Sequence, residues 1–164
     1  MHRVERNEIT VVLASRLMQV SVRQVLVDEI CHVPLTVLYN WDPRQASGFT
    51  IRSHLVYKAL KTLTAQLSGF HYVRRLHALS KLDYIVEFTG LAGSHRIIAW
   101  AVLKNRDASQ SKAVPATVAV PISSSAGVVQ VKNLYGKALP TVAAGGKITL
   151  HLTAIPVYVD LASR

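Results

Sequence analysis

The chain has 164 residues, of which 50% are hydrophobic and 17% are charged, a composition that excludes a largely disordered protein. Its length suffices for one full core, or for a small element followed by a domain. Nineteen Lys and Arg residues against nine Asp and Glu residues give a formal net charge of +10. We therefore expect anionic partners, such as acidic polysaccharide, nucleic acid or a mineral surface, unless the charge is spread out and serves only solubility. No segment approaches the ~18 apolar residues of a membrane span, so we expect none.

The first predicted element is a helix within residues 8–31. Its apolar side chains recur at spacings typical of a helix: Ile9, Val12, Leu13, Leu17, Val20, Val25 and Leu26. Cys31, the only cysteine of the chain, follows in an apolar context. We predict that it is a small buried side chain rather than a nucleophile. Pro34 should end anything helical.

A compact apolar segment, PLTVL at residues 34–38, predicts a buried strand. It ends in Tyr39, Asn40 and Trp41, a cluster of aromatic and polar groups of the kind that lines a sugar site. The competing interpretation is that the two rings pack against the second helix or against a partner. A lone strand leaves both of its edges unpaired. We therefore expect residues 34–40 to join a sheet of the C-terminal part or to form a homo-oligomer.

The second predicted helix has the clearest amphipathic pattern of the chain. One apolar stripe contains Val56, Ala59, Leu60, Leu63 and Leu67. Ser53 is the predicted N-cap and Gly69 the predicted C-cap. We expect the stripe to be buried against the C-terminal part.

After Gly69 the sequence changes to the pattern of strands. Seven short apolar runs are separated by turn signals: FHYVRRLH, LDYIVEFTG, HRIIAWAVL, ATVAVPI, GVVQVKNLYG, KITLHLTA and PVYVDL. This spacing predicts an antiparallel β-sandwich. The predicted fold class is therefore α+β, in which a helix-strand-helix segment at residues 1–69 packs on a β-sandwich domain at residues 70–164.

The ordered series of these segments resembles the C-terminal portion of a TIM-barrel glycoside hydrolase. The resemblance covers nearly the whole chain through VPLTVLYNWDP, GFTIRSHLVYKALKTLTAQLSGFHYVRRL, DYIVEFTG, RIIAWAV, VVQVKNLYGKALP and KITLHLTAIPVYVDL. In such enzymes the eighth barrel strand carries Tyr and Trp at its end, and a helix and a β-sandwich follow. The resemblance implies that Tyr39, Asn40 and Trp41 would contact a glycan.

The departure from the family pattern concerns the catalytic residues. The family carries its two catalytic glutamates at the ends of the fourth and seventh barrel strands, whereas this sequence has one barrel-like strand. Hydrolysis needs two carboxylates that flank the scissile bond. The glutamates of the chain are Glu5, Glu8, Glu29 and Glu87. None of them lies in the T-E-x-G sequence expected around the nucleophile. We therefore expect no catalytic residue and no glycosidase activity from this chain alone.

Three functions stay open on this basis. The first is a non-catalytic structural or binding protein that holds polyanions, glycans or a biomineral through basic residues of the sandwich: Arg74, Arg75, Arg96, Lys104, Arg106, Lys132 and Lys137. The second is a fragment of a split or truncated hydrolase that is active only with the missing barrel. The third is a carbohydrate-binding module.

The sequence implies no cofactor and no metal site, because it has no Cys-x-x-Cys pair, no helical His pair and no phosphate-binding loop. Arg16 and Gln19 interrupt the apolar stretch near the N-terminus, so we find no clear signal peptide. Members of the resembled family are often secreted or lysosomal, and the sequence leaves the compartment open.

Overall fold

The computed structural model describes residues 18–34, 36, 54–78, 80–102, 116–121, 129–144 and 147–161. The chain divides into two compact units, Met1–Thr64 and Ala65–Arg164. No helix in these described ranges is long and apolar enough to cross a membrane. The α+β class predicted from the sequence is confirmed, with helices first and strands after them.

The first helix, α1, includes residues 18–30. Met18, Val22 and Leu26 are buried at a spacing of four, which places them on one face. The helix ends in a Schellman motif, because the N–H groups of Val33 and His32 donate to the carbonyls of Asp28 and Glu29. His32 takes the required left-handed conformation, with φ 55°.

The prediction that Cys31 is buried is wrong. The side chain is exposed, because the helix ends at residue 30 and Cys31 belongs to the turn that carries the chain away from it. The strand predicted at residues 34–40 falls mostly outside the described residues. Of that segment, Pro34 lies in a bend, and the Thr36 hydroxyl donates to Asp28 Oδ2 at 2.8 Å. The strand and its pairing therefore stay predictions.

The second helix, α2, is His54–Leu67, and the sequence predicted it. Val56, Ala59 and Leu63 of its apolar stripe are at most 1% exposed. Gly69 follows the helix with φ 75°, the left-handed conformation expected of the predicted C-cap glycine. Ser53 lies outside the described residues.

The described residues form nine strands in two antiparallel sheets. The larger sheet has the order β1-β2-β3-β9-β5-β6, with bounds Phe70–Arg75, Asp83–Gly90, His95–Ala101, Val157–Leu161, Val129–Lys132 and Ala138–Leu139. The smaller sheet has the order β4-β8-β7, with bounds Ala116–Pro121, Lys147–Leu152 and Val142–Ala144. All seven predicted runs contain a strand, while the two shortest strands, β6 and β7, were not predicted.

The two sheets enclose a common apolar core, as expected of a sandwich. The larger sheet contributes Ile85, Ile97, Ala99, Val131 and Val159, and β8 contributes Ile148, Leu150 and Leu152. Alternate positions of β8 are exposed, so only one face of that strand is buried.

The central strands of the larger sheet are buried on both faces. Phe88, Ile98, Trp100 and Tyr158 alternate with the core residues along β2, β3 and β9, and each is at most 2% exposed. This explains why these strands read as nearly continuous apolar runs instead of a strict alternation.

A tight turn joins β5 to β6. The Asn133 side-chain oxygen accepts hydrogen bonds from the N–H groups of Tyr135 and Lys137, each at 3.0 Å. Gly136 has φ 79°, which favours glycine at this position. The turn fixes β6 beside β5 and so places Ala138 and Leu139 at the edge of the larger sheet.

Candidate functional site

The charged residues Arg96, Asp160 and Lys132 and the neutral Gln130 meet on one face of the larger sheet. Arg96, Asp160 and Gln130 are register partners across β3, β9 and β5, so their side chains project from the same face. Asp160 accepts from Arg96 Nε at 2.5 Å through Oδ1 and from Lys132 Nζ at 2.6 Å through Oδ2. We call Arg96, Asp160 and Lys132 the Asp160 network. Its side chains are 14%, 22% and 22% exposed, so they are partly withdrawn from water.

Two further contacts fix Arg96. Its Nη1 donates to the main-chain oxygen of Gln66, and its guanidinium carbon lies 4.2 Å from the centre of the Phe70 ring. Gln66 is in the last turn of α2, where the helix leaves its carbonyls without helical donors. A cationic side chain at this end also interacts favourably with the helix dipole. Arg96 therefore ties the end of α2 to the sheet.

An open groove of about 640 Å³ lies beside the network. Its lining combines polar groups with apolar walls: Phe70, Ser94, His95, Arg96, Gln130, Val131, Ala138, Leu139, Thr141, Asp160 and Leu161. We call it the Asp160 groove. Its lining comes from β1, β3, β5, β6 and β9 and from Ser94 and Thr141 beside them.

Two buried polar atoms lack partners within the described part of the chain: the Tyr158 hydroxyl and Gln66 Oε1. Burial raises the pKa of the Tyr158 hydroxyl, while the nearby positive charge of Arg96 acts in the opposite direction. The phenol is therefore held neutral in the fold.

The other face of the same sheet carries a second ion network. Glu87 accepts from Arg74 Nε at 2.7 Å through Oε2, and its Oε1 lies 3.3 Å from His95 Nδ1. We call Arg74, Glu87 and His95 the Glu87 network. Arg74 is 66% exposed and His95 48% exposed, although Glu87 is only 15% exposed.

The register separates the carboxylates of the two networks. Glu87 pairs with Ile97, and Ile97 pairs with Val159, so these three side chains share one face. Asp160 is the next residue after Val159 and therefore projects from the opposite face. Asp83 lies four residues before Glu87 on β2, roughly 13 Å away at ~3.3 Å per residue.

The predicted polyanion-binding residues have different surroundings. Arg75 Nη2 donates to the carbonyls of Lys81 and Asp83 at 2.7 and 2.8 Å. The guanidinium carbon of Arg75 also lies 3.9 Å from the centre of the Tyr84 ring. The Tyr84 ring stacks on the ring of Trp100, with 4.9 Å between the ring centres. Of the predicted set, the structure brings together only Arg96 and Lys132 through one carboxylate, and Arg74 belongs to the other face.

Lys137 is exposed in the turn before β6. The other predicted site residues lie outside the described part of the chain: Tyr39, Asn40, Trp41, Lys104 and Arg106. Their proposed contacts with glycans and polyanions stay predictions.

Sequence reasoning missed Asp160, Gln130, Gln66 and Phe70. In the run VYVDL, Asp160 follows Val159 directly, so its side chain points to the opposite face of the strand from Val159. In an ordinary sandwich strand that face is exposed to solvent, and the pattern predicts a solvated aspartate. The sequence signal for a covered face was Tyr158, which lies two residues before Asp160 and points to the same face of the strand. A large ring at an outward position indicates that this face is covered, and a charge beside it then needs partners.

Comparisons with known proteins show a similar fold in a solved structure. No family model matches the chain, and no curated protein matches it. The chain is similar to the structure of a family 39 glycoside hydrolase from the gut symbiont Bacteroides cellulosilyticus WH2, with a TM-score of 0.51 and 19% sequence identity. The similarity covers 66% of this chain and 20% of the hydrolase. At this identity the likeness concerns the fold alone.

Proposed function

We propose that this chain is a non-catalytic structural module related to the β-sandwich end of a glycoside hydrolase, and that hydrolysis would require a barrel outside the sandwich. The observation that carries the proposal is the fold similarity, which extends over 66% of this chain but only 20% of the hydrolase. A match of this kind is expected of a supporting part rather than of a whole enzyme.

The arrangement of carboxylates in the sheet supports a non-catalytic role. Glycosidases hold their two carboxyl groups about 5 to 9.5 Å apart, on either side of one bond. Glu87 and Asp160 project from opposite faces, and each already contacts two basic side chains. Asp83 is 5% exposed and roughly 13 Å from Glu87 along the strand. None of these pairs is arranged to cleave a glycoside.

The test is an activity assay of the purified chain on a panel of aryl glycosides. We expect no turnover from the chain alone, and we expect activity only when a barrel-containing polypeptide is present. Glu87→Gln and Asp160→Asn serve as controls for the two ion-paired carboxylates. Turnover by the chain alone that disappears in either variant would overturn the proposal.

Polyanion binding is a second candidate, favoured by the net charge of +10 and by exposed lysines that include Lys81, Lys137 and Lys147. Arg74, Arg75, Arg96 and Lys132 contribute less to it, because each already binds a partner within the fold. Retention on heparin, DNA or silica that falls steeply with salt would support this candidate. Absence of retention at low salt would remove it.

A carbohydrate-binding module has less support from the described rings. Sugar binding on a sheet usually needs an open aromatic face, and the two faces of Tyr84 are occupied by Arg75 and Trp100. Arg96 covers one face of the Phe70 ring. Binding to neutral glycans that is insensitive to salt would separate this function from polyanion binding.

A further inference from the structure

We propose that the Asp160 groove binds a small ligand that carries a carboxylate on an apolar body. Three residues of its lining come from adjacent strands of the larger sheet: Arg96 on β3, Asp160 on β9 and Gln130 on β5. Two properties of the groove lead to this ligand class, namely its surplus of hydrogen-bond donors and its apolar walls.

The donor surplus follows from the hydrogen bonds of the Asp160 network. A guanidinium has five N–H hydrogens and no acceptor. Arg96 uses one on Asp160 and one on the Gln66 carbonyl, which leaves three without an acceptor among the described residues. Lys132 does not line the groove and contributes its charge through Asp160, so the surplus rests on Arg96. A ligand group that only accepts hydrogen bonds fits this surplus.

The charge balance favours an anionic acceptor. Arg96 and Lys132 carry two positive charges against the single negative charge of Asp160, so the network has a net charge of +1. Arg96 is only 14% exposed, and a charge in such a partly dehydrated position attracts an anion more strongly than a fully solvated one does. Arginine also presents its donors in the planar geometry that matches a carboxylate.

The remaining lining selects for an apolar body. Phe70 and Leu139 contribute apolar surface, while Ser94 and Thr141 contribute neutral polar groups. A volume of about 640 Å³ is within the range of small-molecule sites. The ligand class is therefore an acidic small molecule with a ring or a short hydrocarbon part.

The test uses benzoate as the probe and benzamide as its neutral analogue of the same shape. Each is titrated into the ¹⁵N-labelled full chain, and the amide shifts are followed by NMR. We expect saturable shifts at Ser94, Gln130 and Thr141 with benzoate, and affinity at least about tenfold lower for benzamide, because only the anion is attracted by the network charge.

Charge changes at Gln130 sharpen the test. Gln130 is exposed, lines the groove and is the register partner of Asp160, so its replacement should leave the fold intact. Gln130→Glu should weaken benzoate binding about tenfold, and Gln130→Lys should strengthen it severalfold. The matched control is Thr149→Glu, which adds the same charge at an exposed position of the other sheet and should change nothing.

Arg96→Gln is a further variant, and it should abolish the preference for benzoate. Because Arg96 also binds Asp160 and the Gln66 carbonyl, that variant can unfold, and the Gln130 variants then decide between the outcomes. Equal affinity for benzoate and benzamide, equal effects of Gln130→Glu and Thr149→Glu, or an absence of saturable shifts at the groove would each overturn the proposal.

Discussion

The Asp160 network and the Glu87 network have similar chemistry and different surroundings. Each holds one carboxylate between two basic side chains, and both belong to the six-stranded sheet. The outer partners of Glu87 are 66% and 48% exposed, whereas those of Asp160 are 14% and 22% exposed. The comparison teaches that burial, and not the residue types, decides how much such a network contributes to stability.

The largest expected effect concerns the apolar residues that support each network. Ile97→Ala and Ile98→Ala remove neighbouring side chains from opposite faces, and both residues are at most 2% exposed. Each change should lower the free energy of unfolding by about 2–5 kcal/mol. Urea unfolding followed by circular dichroism measures it. A much smaller effect of Ile98→Ala would mean that the face of the Asp160 network is not a second core.

The next effect is the loss of the more buried carboxylate. Asp160→Asn leaves two partly buried cations without their counter-ion, so we expect a loss of about 2–3 kcal/mol, below the full cost of breaking a buried pair because the side chains keep some solvent. The same unfolding experiment measures it. A loss of stability below about 0.5 kcal/mol would mean that the Asp160 network stabilises the fold no more than the exposed Glu87 network does.

Glu87→Gln is the matched change in the exposed network. We expect a loss of about 0.5 kcal/mol, because Arg74 and His95 remain hydrated when their partner is neutralised. Molar salt should remove most of this difference by screening, while the effect of Asp160→Asn should persist. Equal sensitivity of the two variants to salt would contradict the assigned difference in burial.

The smallest effect at neutral pH is expected from Tyr158→Phe. The hydroxyl is buried without a partner in the described residues, so its removal should change stability by less than about 1 kcal/mol and in the stabilising direction. A loss above 1 kcal/mol at pH 7 would show that the hydroxyl is hydrogen-bonded in solution.

Alkaline pH should enlarge the difference in stability between wild type and Tyr158→Phe. The fold raises the pKa of the Tyr158 hydroxyl. As pH rises, the hydroxyl therefore loses its proton in the unfolded chain, near pH 10, before it does so in the folded chain. The contribution of the neutral phenol is complete below that pH and declines as pH rises above it. Wild type should therefore lose stability relative to Tyr158→Phe between about pH 10 and 12, measured by thermal unfolding.

The sequence predicted the regular elements better than it predicted the candidate site. The stripe of α2, the glycine after it and seven β runs all have strong local patterns, and the structure contains each of them. Strands β6 and β7 have two and three residues, too few for a period to be read. The exposed position of Cys31 depended on where α1 ends, which the apolar context did not indicate.

The candidate site was not predictable because it depends on residues far apart in the chain. The Arg96–Asp160 pair joins positions 64 residues apart, and the Arg96–Gln66 bond joins positions 30 residues apart. Local periodicity carries no information on such pairs. It also cannot tell that both faces of β2, β3 and β9 are covered, and this decides which charged side chains need partners.

The strand order gives synthesis of this chain a particular vulnerability. Strand β9 follows every other described strand in the sequence, yet it lies between β3 and β5 in the middle of the larger sheet. Until it has left the ribosome, β3 and β5 each present an unpaired edge to other nascent chains. The larger sheet can be completed only after β9, which is distant in sequence from β3, has been synthesised, and such long-range pairing slows folding. A chain truncated before Val157 would expose the edges of β3 and β5 and would be prone to aggregate.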